Sequence, residues 1–77
     1  MSYKAIKTTY HGPGNVKGSR IIATDNDNNR IILPYDYVLN STENHVKAAY
    51  ALRDKMGWKG DLVTGALKDC YVHIFIS

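Results

Sequence analysis

The stretch His11-Gly12-Pro13-Gly14-Asn15-Val16-Lys17-Gly18-Ser19-Arg20 gathers the residue types that hold an anion. Glycines bare backbone amides, while Lys17, Ser19 and Arg20 add donors and positive charge, so a phosphate or carboxylate is the ligand this composition suits. The spacing departs from the nucleotide fingerprints. Gly12, Gly14 and Gly18 miss the dinucleotide pattern, no Gly-Lys-Ser/Thr run occurs, and the segment leads into a strand instead of a helix. Two readings stay open. One is a plain loop whose glycines allow a tight crossing between strands; the other is an anion or nucleic-acid loop made by His11, Gly12, Gly14, Asn15, Lys17, Gly18, Ser19 and Arg20.

Cys70 and His73 have the form of a Cys-x-x-His pair, but on a strand an odd separation sends the two side chains to opposite faces. Neither zinc chelation nor a thiol–imidazole dyad suits that geometry. His11, His45 and His73 show no metal-ligand spacing within a single element. Ser19 and Ser41 lie in no nucleophile elbow, and no carboxylate pair is set out for acid/base work. The expectation is a protein with no catalytic residues, no metal and no cofactor, hence not an enzyme.

The elements that would position these groups follow from periodicity. Tyr3 to Tyr10 is rich in β-branched and aromatic residues and reads as a first strand. Arg20-Ile21-Ile22-Ala23-Thr24 and Arg30-Ile31-Ile32-Leu33-Pro34 flank Asp25-Asn26-Asp27-Asn28-Asn29, a hairpin whose loop residues tolerate the left-handed backbone. Beyond Pro34 the period becomes helical, with His45, Ala49, Leu52 and Met56 on one side, Lys47, Ala51, Asp54 and Lys55 on the other. Asn40 with Glu43, or Ser41 alone, supplies the N-cap, and Gly57 ends the helix. Trp58 is expected to stack near Arg53.

Gly60-Asp61-Leu62-Val63-Thr64-Gly65 is a short strand or turn, and Cys70 to Ile76 alternates by two. That alternation predicts Cys70, Val72, Ile74 and Ile76 under the helix, with Leu52 and Met56 against Val72 and Ile74. Tyr71, His73 and Phe75 then point away. The fold class expected is α+β: two layers, an antiparallel sheet in the order β-β-β-α-β, with room for one extra short strand, and one amphipathic helix on one face. The second face stays open.

Aromatic rings on that open face would make an interaction surface, with Tyr71, His73 and Phe75 as its centre and Lys4 and Lys7 beside them. Sheet-based RNA binders stack bases on such a platform, but their strand consensus and second helix are missing here. An aromatic face of modest charge is better suited to a protein, either a second copy or a host target. Charge is uneven along the chain: Lys4, Lys7, Lys17 and Arg20 occupy the first twenty residues with no acid, whereas Asp25, Asp27, Asp36 and Glu43 outweigh Arg30 in the next stretch.

At 77 residues with one cysteine the chain makes one small domain, residues 1–77, with no intrachain disulfide. A core this small without staples favours a homodimer or higher oligomer. No apolar run reaches the roughly 18 residues of a membrane span, and Met1 to Lys7 lacks the apolar stretch of a signal peptide. A cytoplasmic, membrane-free protein is expected.

Tyr10-His11-Gly12-Pro13, Gly18-Ser19-Arg20-Ile21, Pro34-Tyr35-Asp36-Tyr37, Glu43-Asn44-His45, Ala48-Ala49, Met56-Gly57-Trp58 and Tyr71-Val72 together resemble a family of small uncharacterised phage- and prophage-encoded proteins. The resemblance spans most of the chain. It implies an origin in a mobile element, and by analogy a non-catalytic inhibitor or modulator of a host protein complex, anti-CRISPR proteins and other anti-defence proteins included. The host cytoplasm is then the place of action. The alternative is a small nucleic-acid or nucleotide binder using the glycine-rich loop and the basic edge, with nucleic acid bound only weakly if the protein-binding reading holds.

Overall fold

The computed structural model describes residues 5–12 and 18–76. Five strands and one helix follow in the order β1 (Ala5–His11), β2 (Arg20–Thr24), β3 (Arg30–Pro34), α1 (Ser41–Met56), β4 (Leu62–Ala66) and β5 (Tyr71–Phe75). The strands form one sheet in the order β3-β2-β1-β5-β4, every neighbouring pair antiparallel. This is a small α+β fold, and the extra short strand is β4. The first and last strands meet in the middle, so the chain closes on itself through the β1–β5 pair.

Local chemistry accounts for the punctuation. In the β2–β3 loop the Asp25 carboxylate accepts from the amides of Asp27 (2.9 Å) and Asn29 (2.8 Å), and Asn28 takes the left-handed backbone at φ 66°. Asn40 caps α1 by accepting from the Glu43 amide at 2.8 Å, and Glu43 returns an acceptor to the Asn40 amide at 3.0 Å. That reciprocal pair satisfies donors the first turn leaves open. Gly57 ends the helix at φ 74°, a conformation that a Cβ would strain. At the sheet's edge β3 ends on Pro34, which cannot donate to a further strand.

Helix α1 packs across β1, β2 and β3 and reaches β5. The apolar core is Ile6, Ile21 and Ala23 from the sheet with Ala48, Ala49 and Leu52 from the helix. Of the largest fully buried side chains, Ile6, Ile21 and Leu52 are aliphatic while His73 and Thr8 are polar. Each buried aliphatic contributes about 1.5–3 kcal/mol, so the polar pair occupies a large share of a thin core.

The faces of β5 are the reverse of the sequence expectation. Tyr71, His73 and Phe75 face the helix layer: His73 pairs with the buried Ile6, and Tyr71 with the buried Thr8. Val72 and Ile74 therefore lie on the open side, opposite Leu52 and Met56 rather than against them. Both alternate sets of this strand are largely apolar or aromatic, so polarity does not choose between them; volume does. The helix offers Ala48 and Ala49 to the sheet, short side chains that leave room for larger rings from β5; Phe75 packs against that core and Tyr71 against His45. Trp58 meets Phe75 edge-on at 6.0 Å, while the Arg53 guanidinium lies over Tyr50 at 4.5 Å.

Candidate functional site

Three places draw functional residues together. The first lies between helix and sheet, where Thr8 Oγ1 on β1 shares hydrogen bonds with His45 Nδ1 on α1 (2.7 Å) and His73 Nε2 on β5 (2.9 Å). His73 Nδ1 meets Thr64 Oγ1 on β4 at 2.9 Å, and the His45 ring lies against Tyr71 with centroids 4.3 Å apart. A chain of hydroxyls and imidazoles thus crosses three strands and ties them to the helix. Thr8 has one proton to give, so when both rings are neutral it donates to one imidazole and accepts N–H from the other.

Burial lowers the pKa of His73 to about 4, and the nearby His45 adds to the effect. His45 is lowered too, again by burial, against a hydrogen bond at Thr8 that raises it. Both rings are neutral at pH 7. A hydroxyl beside an imidazole is the pairing that nucleophilic catalysis uses, but Thr8 and His73 are both 0% exposed. They are closed to solvent, and their hydrogen bonds join the helix to β1, β4 and β5. Among the described residues no three His, Cys, Asp or Glu side chains converge as a metal site.

The second place is the glycine-rich loop. Gly14, Asn15 and Lys17 lie outside the described residues. His11 ends β1 opposite Arg20, which opens β2, and Gly12 and Gly18 are exposed. Ser19 Oγ accepts from the hydroxyls of Tyr10 (3.0 Å) and Tyr37 (2.9 Å), and Tyr35 packs edge-on between those two rings. Gly18, Ser19, Arg20, Ile32 and Pro34 line a shallow, open recess of about 320 Å³. Ser19 thus serves as the acceptor of a tyrosine cluster, and the Arg20 guanidinium turns back to the Gly18 carbonyl at 3.5 Å, so the described side chains of the loop do not converge on one point.

The third place is the open face of the sheet. Its outward positions form cross-strand rows: Pro34–Arg20–His11, then Ile32–Ile22–Thr9, then Arg30–Thr24–Lys7–Val72–Gly65, then Ala5–Ile74–Val63. Ile32 is 45% and Val63 49% exposed, and Lys7 and Arg30 are exposed as well. Of the interface residues expected from sequence, only Lys7 lies here. Lys4 is outside the described residues, and His73, with Tyr71 and Phe75 half-buried beside it, belongs to the helix-covered side. Tyr71 is further engaged through its hydroxyl with Thr42 at 3.2 Å, and Phe75 through Trp58. His73 is buried, and the Tyr71 and Phe75 rings pack half-buried on the helix side of the sheet.

Sequence reasoning missed Thr8 and Thr64 and paired neither with a histidine. The signal was present in β1, where Ile6, Thr8 and Tyr10 share one face, so a hydroxyl in an apolar phase demanded a buried partner. The aliphatic open face was missed because β5 was placed in the wrong phase.

No protein-family model, no curated protein and no solved structure matches the chain. Among the described residues, no helix is long and apolar enough to cross a membrane.

Proposed function

We propose that this chain is a non-catalytic binding module that works by covering a protein surface, with the open sheet face as its contact surface. The observation that carries the reading is the aliphatic content of that face: Ile22, Ile32, Val63, Val72 and Ile74 all project from it. A sheet face packed on one side only is normally polar on the other, and an exposed apolar patch on a small domain marks an interaction surface. The resemblance to small phage-encoded proteins points to a host protein complex as the target, a defence nuclease complex among the candidates, with inhibition or modulation by occupancy.

The test is comparative capture in the native host. Ile32 and Val63 are exposed, so Ile32→Ser with Val63→Ser leaves the core intact and should melt within a few degrees of wild type. A partner retained by wild type and lost by this variant supports the reading; equal capture by both defeats it.

A further inference from the structure

We infer that the open face is built for a protein that presents carboxylates around an aliphatic centre, which rests on the binding role proposed above and names the chemistry of its partner. Ile22 and Ile32 make one aliphatic patch, and Val63, Val72 and Ile74 make another. Lys7 stands between them on the central strand, with Arg30 at the β3 end of its row and Arg20 beyond the isoleucines. Among the described residues every Asp and Glu lies in a loop or on α1, and none occupies an outward strand position. Over an apolar surface, cations of one sign without a counter-charge attract a partner of the opposite sign and repel others.

Two other occupants fit less well. Single-stranded nucleic acid is held on sheets by aromatic rings that stack with the bases, and among the described residues the outward strand positions hold no Phe, Tyr or Trp, with His11 alone as an aromatic ring at the end of β1. A second copy docked face to face by a two-fold axis through the centre would bring each Lys7 toward its counterpart, with Arg20 and Arg30 on the same one-signed surface. By strand spacing the face measures roughly 20 Å by 15 Å. That suits the apolar core of a standard interface, with the basic residues serving as its rim.

The experiment selects random displayed peptides on the immobilised wild-type protein. Their affinity is then measured at about 150 mM salt for wild type, Lys7→Glu/Arg30→Glu, Ile32→Ser/Val63→Ser and the control Lys59→Glu/Lys68→Glu, each checked for a native melting transition. The expected result is peptides rich in Asp, Glu and aliphatic residues. Charge reversal of Lys7 and Arg30 should weaken them about tenfold or more, the Ile32/Val63 change should weaken them too, and the control should not. Peptides without acids, sensitive to Ile32 and Val63 but indifferent to the charge reversal, overturn the partner chemistry and leave the binding role standing. Peptides indifferent to both open-face variants overturn both, and recovery of no acidic peptide overturns the inference. Tighter binding of a fluorescent single-stranded DNA or RNA probe, lost on charge reversal, puts nucleic acid in the partner's place. A micromolar dimer in sedimentation that the Ile32/Val63 change dissociates puts a second copy there.

Discussion

Acid should destabilise this protein well before its carboxylates are fully protonated, and the cause is His73. Its pKa is about 4 in the folded chain against an ordinary value of 6.5. A base whose folded pKa is depressed binds fewer protons folded than unfolded, so its stabilising contribution is complete above about pH 6.5 and is lost as pH falls toward about 4. At about 1.4 kcal/mol per pH unit, the gap amounts to on the order of 3 kcal/mol. His45 is shifted in the same direction and adds to the loss. A domain of this length has a total stability of only about 4–12 kcal/mol. Urea unfolding followed by circular dichroism at pH 7.5, 6.5, 5.5 and 4.5 reads the effect directly. Below about pH 6 the wild type should lose about 1 kcal/mol or more per pH unit. His73→Gln keeps a neutral hydrogen-bonding group between Thr8 and Thr64; it should start lower at pH 7.5, by about 1–3 kcal/mol, and fall less steeply. Equal urea midpoints at pH 7.5 and 4.5, or parallel slopes in wild type and variant, would refute the reasoning.

Leu52→Ala should cost about 2–5 kcal/mol, since Leu52 is fully buried between helix and sheet, and thermal melting checks it. Asn40→Ala removes the acceptor of the Glu43 amide and should cost about 1 kcal/mol, measured by the same melts. Asn44 accepts from the Asp36 amide and donates to the carbonyls of Asp36, Leu39 and Asn40. Asn44→Ala should therefore cost about 1–3 kcal/mol and speed amide exchange from Asp36 to Leu39, which hydrogen exchange resolves. Phe75→Ala, which would have damaged partner capture had the ring faced outward, should instead lower the melting temperature.

The elements were legible because their signals are local. The hairpin over Asp25–Asn29, the Asn40/Glu43 cap and the Gly57 stop each depend on residues within five positions of one another, and all three have the geometry their sequence implies. What β5 faces depends instead on a comparison across the molecule. Tyr71, His73 and Phe75 turn inward because α1 presents alanines and because Thr8, far away in sequence, and Thr64, across the β4–β5 hairpin, satisfy the imidazole. Hydropathy along one strand contains neither fact. The same reversal relocates the candidate interface: the rings that looked like its centre hold the core, and the aliphatic positions that looked like core form the open face. Lys7 kept its place because β1 alternates cleanly between the buried Ile6 and Thr8.

The proposed contact surface is tested most directly by a photo-crosslinking residue at Thr24, on the open face beside Lys7, compared with the same residue at Ala51 on a part-buried flank of α1 away from that face, both in cells of the source organism. A specific protein adduct from Thr24 with none from Ala51 is the predicted result. An adduct from Ala51 alone would place the contact on the helix and contradict the account.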